Sequence, residues 1–395
     1  MTRLSEAQIA DLKDRVDLAA LAQDFGARLR RSGAKWVGSC PVCGGGARAT
    51  RFEIKGEGWV CAVCEDGGDA IRLVRQVSGC DFASAIERLG GPRVLDQEEE
   101  RKLQAQREAR ARKEKAEADA YRERERLACL RIWERGRAPS PQRLGRYWGA
   151  RGLLLPGTAL IREADDVAFF HGEEIDERGR KQPRLLYRGP AQLAAFLDNE
   201  NRFVGLHLTH LKPDWSGKAE IVDPDTGEVL PAKKMRGSKK GSHIVLRQPP
   251  FAAIEAARRD GQPIRLFMGE GIETVAQVGT SLKRAGRLHP LDMFWASGDL
   301  GNLGGASLGT IAHPELKTPK GRSQRVPSAE PDLDAPAIRI PAEVTHLCLL
   351  GDGDSEPFLT RTTLERGRNR HARPGLAIAI ALAPAGEDFN SMTRG

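Results

Sequence analysis

Hydrophobic positions at the start of the chain recur at near-helical spacing. Ile9, Leu12, Val16 and the run Leu18 to Leu21 share a face, and Gly26 offers a stop. One or two helices are expected over residues 5–28, packed on the module after them. Gly67-Gly68-Asp69 opens a second helical pattern running to about Arg88, with Asp69 placed to cap it. From 93 to 137 the apolar stripe disappears. Helix formers of both charges fill this segment, which predicts a solvated helical linker laced with ion pairs. Residues 138–250 are harder to read. Arg202 to Leu211 alternates as a strand does, and Asp225-Thr226-Gly227 signals a turn.

The last third changes pattern again. Ile264 to Met268 and Val344 to Leu350 are unbroken apolar runs, each ending in glycine and carboxylates. Such runs suit strands buried on both faces of a parallel sheet. A helix is expected from Thr274 to a stop at Gly286. Leu291 to Gly298 reads as another strand, with Asp299 just beyond it, and Gly375 to Pro384 as one more. Residues 313–336, rich in proline and charge, predict a surface loop.

Length and charge add bounds. The 395 residues suffice for two or three domains. A net charge of +8 favours a polyanionic partner without naming one. No stretch approaches the roughly 20 apolar residues that span a bilayer, and Met1 to Glu6 shows no signal-peptide pattern. A cytoplasmic protein with no membrane partner is expected. No Gly-x4-Gly-Lys-[Ser/Thr] motif occurs, so no fused P-loop helicase is expected.

Four of the seven cysteines form two Cys-x-x-Cys pairs, Cys40/Cys43 and Cys61/Cys64, with seventeen residues (44 to 60) between them. That is the spacing of a structural zinc ribbon, in which two tight turns supply four thiolates to one tetrahedral ion. Cys80, Cys129 and Cys348 read as apolar fillers. Trp36, Phe52 and Trp59 flank the pairs and are either the small core of the ribbon or a stacking face for single-stranded DNA. Arg48, Arg51 and Lys55 are candidate DNA contacts, with Trp59 beside them.

The carboxylates of the last third form the other candidate site. In open α/β sheets ligands bind at the carboxyl ends of the strands, so Glu270, Asp352 and Asp354 are expected on one rim. Clustered carboxylates cannot all ionise cheaply unless a cation joins them, and oxygen ligands with room for water and phosphate suit Mg²⁺ or Mn²⁺. Lys233, Lys234, Arg236, Lys239 and Lys240 form a cationic cluster suited to phosphates.

These motifs carry two resemblances. The run from Asp14 to Leu29, the cysteine pairs and Gly67-Gly68-Asp69 resemble the N-terminal zinc domain of DnaG-type primases. Gly269-Glu270-Gly271-Ile272-Glu273 with Gly351-Asp352-Gly353-Asp354 resembles the TOPRIM fold, and the wider wording through Glu387-Asp388-Phe389-Asn390 is similar to primases of phages and mobile elements. Tyr147-Trp148-Gly149-Ala150-Arg151-Gly152 and Lys233-Lys234-Met235-Arg236-Gly237 loosely resemble the preceding part of such a catalytic core.

The resemblance implies an α/β and α+β multidomain protein. Residues 1–92 are expected to be a zinc-ribbon DNA-binding domain and 93–137 a charged helical linker that lets it move. Residues 138–260 are expected to be a basic mixed α+β subdomain, and 261–395 a TOPRIM domain with a parallel sheet. The implied activity is synthesis of short RNA primers on single-stranded DNA from ribonucleoside triphosphates, beside a separate replicative helicase. Its catalytic residues would be Glu270, Asp352 and Asp354, with Glu273 and Asp388 secondary, using one structural Zn²⁺ and one or two Mg²⁺ or Mn²⁺. The alternatives are a metal-dependent nuclease on the same carboxylates and a non-catalytic single-strand-binding replication protein.

Overall fold

The apolar runs of the last third form parallel strands, and the chain around them divides into two units, Met1–Glu117 and Ala118–Gly395. The structure, a computed structural model, describes residues 6–33, 35–46, 49–64, 66–91, 97–317, 321, 323–387 and 389. Among the described residues no helix is long and apolar enough to cross a membrane.

The first unit begins with α1 (Glu6–Asp14) and α2 (Leu18–Asp24), as the spacing of Leu12 and Leu18 predicts. Asp17 caps α2 by accepting from Ala19 N and Ala20 N. An antiparallel sheet comes next in chain order: β1 (Leu29–Ser32), β2 (Lys35–Gly38), β3 (Phe52–Lys55), β4 (Gly58–Cys61) and β5 (Asp66–Gly68). Its period-two alternation puts Phe52 and Ile54 opposite Cys61 and Trp59 on the buried face. The helical pattern expected from Asp69 to Arg88 is two helices, α3 (Ala70–Ser78) and α4 (Phe82–Arg88). Gly79 adopts a left-handed φ of +63° that ends α3, and Asp81 caps α4 through Ser84 N. Asp69 caps α3 through Arg72 N. α5 (Gln97–Arg135) is one continuous helix, and the boundary between the units falls within it.

The second unit continues with α6 (Leu144–Ala150), β6 (Ile161–Ile175), β7 (Lys181–Leu197), β8 (Phe203–His210), β9 (Ile221–Val222), β10 (Val229–Leu230), β11 (Lys233–Gly237) and β12 (His243–Arg247). Then come α7 (Phe251–Arg259), β13 (Arg265–Gly269), α8 (Ile272–Arg284), β14 (Met293–Ala296), α9 (Leu300–Gly304), β15 (Thr310–Lys317), β16 (Ser323–Pro327), β17 (His346–Gly351), α10 (Pro357–His371) and β18 (Ala377–Leu382). One mixed sheet runs β11-β8-β7-β12-β14-β13-β17-β18, with β6 on β7. It is antiparallel from β11 to β14 and parallel from β14 to β18. Residues 313–336, expected as a loop, instead supply most of an antiparallel hairpin, β15–β16.

The central strands are buried on both sides. Phe267 joins the layer formed with α6 and α8, which includes Trp148, Val275 and Phe294. Leu266 and Met268 join the opposite layer with α7, α9 and α10, which includes Ile254, Leu303 and Leu364. Register then sets the rim. Gly269 pairs with Ala296 on one side and Leu350 on the other, so β13, β14 and β17 end level. The segments leaving these three strands therefore start at one carboxyl edge.

Candidate active site and zinc centre

The zinc centre is built by the β-sheet of the first unit. Cys40 to Cys43 form one tight turn, closed by Gly44 N donating to Cys40 O at 2.8 Å. Cys61 to Cys64 form the other, at the end of β4. The four Sγ atoms lie within 4.8 Å of one another. Cys40 and Cys64 are 3.6 Å apart, and Cys43 and Cys61 3.7 Å. A tetrahedron on bonds of about 2.3 Å has edges of about 3.8 Å, so the set fits Zn²⁺ without rearrangement. Val42 N donates to Cys40 Sγ and Cys64 N to Cys61 Sγ, each at 3.3 Å. Burial would raise the Cys43 thiol, but the neighbouring sulfurs and Arg51 outweigh it and hold it below its ordinary value. No open ligand position is left, so the centre is structural.

The aromatics resolve toward the core. Phe52 is fully buried, and Trp59 stacks on it at 5.4 Å while donating from Nε1 to Asp69 O at 3.0 Å. Trp59 is therefore no platform for a base. Lys55 is exposed, and Arg51 is half-buried beside Cys43. Arg48 lies outside the described residues.

In the second unit the rim collects Glu270 after β13, Asp299 after β14, and Asp352 and Asp354 after β17. Burial pushes the Glu270 carboxyl above the usual carboxylate range. Lys233 opposes the rise, and Asp352, Asp299 and Asp354 add to it. A carboxylate raised by three like neighbours marks a place where a cation lowers the energy. The ligand atoms stay spread: among the described residues only the cysteines gather three or more within 4.8 Å. Each aspartate or its loop has a local hold. Thr274 Oγ1 donates to both Asp352 oxygens at 3.1 and 3.2 Å. Asp299 caps α9 through Asn302 N at 2.7 Å and pairs with Lys239. Gly353 closes the Asp352–Asp354 loop: its N–H donates to Glu387 O at 2.8 Å, and a Cβ there would fall 2.0 Å from Pro384 O.

Glu273 is placed differently. In the first turn of α8, it pairs with Arg151 at 2.5 Å and Lys218 at 3.1 Å and accepts from the Tyr147 hydroxyl. Both its oxygens are engaged in joining α6 and the 211–218 loop to α8. Asp388 lies outside the described residues.

The cationic cluster divides by strand period. Lys233 and Met235 share the face that carries His207 and Thr209, toward Glu270 and Gly298. Lys234 and Arg236 point the other way. Lys234 lies over the Phe169 ring at 4.6 Å, and Arg236 forms a bidentate pair with Glu125 at 2.7 and 3.0 Å. Lys239 is at the rim with Asp299, and Lys240 is exposed.

Sequence reasoning did not count Asp299 among the site residues, although its apolar strand ending in Gly298-Asp299 carried the same signal as the other two. His207 and Lys218 had no such signal, since only strand pairing and loop closure bring them in, whereas Tyr147 and Arg151 lie in the stretch 147–152 already singled out by its wording.

A four-cysteine ribbon and a mixed α+β sheet with an acidic rim define a multidomain, metal-ribbon α/β protein. Residues 4–105 match the CHC2 zinc finger, the DnaG zinc ribbon. Residues 123–246 match a domain of unknown function, DUF7146. No curated protein matches the chain. Among solved structures, the Aquifex aeolicus primase (zinc-binding and RNA polymerase domains) matches at 12% identity and a TM-score of 0.34, over 98% of this chain and 82% of that one. A DnaG primase catalytic domain bound to ssDNA matches at 14% and 0.35, over 70% and 78%. A DNA primase domain from Pseudomonas aeruginosa matches at 14% and 0.32, over 63% and 66%. Matches this loose carry no mechanism across.

Proposed function

We propose that the chain is a DNA primase whose catalytic centre is the acidic rim, in a TOPRIM-like domain of phage or mobile-element type. The observation that carries this is the meeting of Glu270, Asp299, Asp352 and Asp354 beside Lys233, in a chain with a DnaG zinc ribbon. The division into 1–92, 93–137, 138–260 and 261–395 belongs to the same reading.

Glu270, Asp352 and Asp354 would hold one or two Mg²⁺ or Mn²⁺ ions, which supply neutralisation of the triphosphate charge. Glu270 is half-buried with a raised carboxyl pKa, suited to take the proton from the attacking 3′-hydroxyl. Lys233, on the wall facing Glu270, and Lys239, at the rim beside Asp299, hold phosphate oxygens. Glu273 keeps Arg151 and Lys218 in place and so orients this wall. Arg51 and Lys55 contact the template backbone, and the helicase is a separate chain.

The test is incubation of zinc-loaded protein with single-stranded DNA, labelled ribonucleotides and Mg²⁺ or Mn²⁺. Short RNA products support the primase. DNA cleavage without nucleotides would make it a nuclease, and DNA binding with neither product would make it a binding module.

A further inference from the structure

We infer that His313, on the hairpin inserted before β17, is a positioning residue for the Asp352–Asp354 loop and acts through Glu356. The inference rests on the proposed metal-binding rim. The loop between β17 and α10 is short. Gly353 fixes its first half against Glu387. Its second half ends at Glu356, whose carboxylate caps α10 by accepting from Phe358 N at 3.0 Å and from Leu359 N. Only Ser355 separates this cap from Asp354, so the start of α10 sets where Asp354 points.

His313 reaches the cap from β15. Its side chain is 2% exposed, on a hairpin strand that is otherwise almost wholly exposed. Nδ1 accepts from Glu315 N at 3.1 Å and Leu316 N at 2.8 Å. A nitrogen that accepts two amides carries no proton, so the neutral ring keeps its N–H on Nε2. Nε2 lies 3.1 Å from Glu356 Oε1, an off-axis electrostatic contact, and it has no aligned hydrogen-bond acceptor. The Phe358 ring meets the imidazole edge-on at 4.8 Å. The base of the hairpin is seated on α10 by Arg366, which donates to Ser328 O at 2.7 Å and Gly305 O at 2.9 Å. The hairpin thus meets the acidic loop through one imidazole and one carboxylate. A histidine serving only as filler needs no carboxylate before its single free N–H.

Two substitutions separate the contacts. In His313→Asn the amide oxygen takes over from Nδ1 as the acceptor, but the side chain no longer reaches Glu356. In His313→Gln an N–H is placed near the position of Nε2. The readout is Mn²⁺ binding to the nucleotide-free, zinc-loaded full chain, by titration calorimetry or the free-ion electron paramagnetic resonance signal. His313→Asn should weaken Mn²⁺ about tenfold, the lower end of outer-partner losses at metal sites. His313→Gln should recover most of that loss. In primer synthesis His313→Asn should raise the Mg²⁺ concentration for half-maximal rate while leaving kcat at saturating Mg²⁺. If His313→Asn unfolds, Glu356→Gln carries the test with the same expected weakening. Mn²⁺ affinity equal to wild type in a folded His313→Asn overturns the inference and leaves the rim standing. Absence of Mn²⁺ binding in wild type overturns the rim and this inference with it.

Discussion

Glu270 shows what the rim costs at the scale of one residue. Its carboxyl is pushed up by burial first and by three aspartates after that. A group whose folded pKa exceeds its unfolded value favours the native state at low pH and loses that contribution as pH rises through the folded pKa. Glu270→Gln should therefore raise the melting temperature at pH 7 to 8 in Mg²⁺-free buffer. The gain should shrink toward pH 4, and added Mg²⁺ should stabilise wild type more than the variant. A gain that is the same at pH 4 and pH 8 contradicts the charge account. Glu273 gives the opposite expectation, because Arg151, Lys218 and Tyr147 already satisfy it. Glu273→Gln should lower stability by about 1–3 kcal/mol and leave Mn²⁺ affinity within about threefold. Unchanged stability with lost Mn²⁺ binding would make it a ligand. The cysteines, Glu270 and Asp352 were readable because each sits at a fixed offset from a turn or strand end. Lys218 was not, because nothing local in Gly217-Lys218-Ala219 announces a partner on α8.

Among the elements, the parallel strands were legible because burial on both faces leaves an unbroken apolar run, as in Leu266, Phe267 and Met268. The β15–β16 hairpin was not. Its sequence has no alternation to read, since His313 and Val326 are its buried positions and Pro314 lies within the strand. The helix after Asp69 was read as one because Gly79-Cys80-Asp81 was not recognised as a stop and then a new cap. Trp59 and Phe52 were undecided until cross-strand pairing put them on the inner face. Gly353 tests the loop as an element. Gly353→Ala drives a Cβ into the Pro384 carbonyl, so the strand-end loops must part. The variant should lose about 1–3 kcal/mol of stability, and Mn²⁺ affinity should fall with it. A wild-type melting temperature and Mn²⁺ affinity would show the closure to be dispensable.

At the scale of the whole chain, the units carry different liabilities. All eight histidines lie between His171 and His371, in the second unit. Burial depresses His207, His243 and His371 to about 4. Depressed folded values give stability that is present above about 6.5 and lost as pH falls toward 4. Acid melts monitored by circular dichroism should show the second unit weakening across that window, and a flat profile would contradict the buried neutral rings. The first unit depends on its metal instead. About one zinc per chain is expected, and its removal should melt residues 6–91 while the second unit keeps its own transition.

The central claim, that the acidic rim makes primers, is met most directly by labelled ribonucleotide incorporation on single-stranded DNA by wild type, Glu270→Gln and Asp352→Asn, all matched for zinc content and DNA binding. The account predicts short products from wild type and a loss on the order of 10²-fold or more in each variant. Products of wild-type yield from either variant would remove the rim from the chemistry.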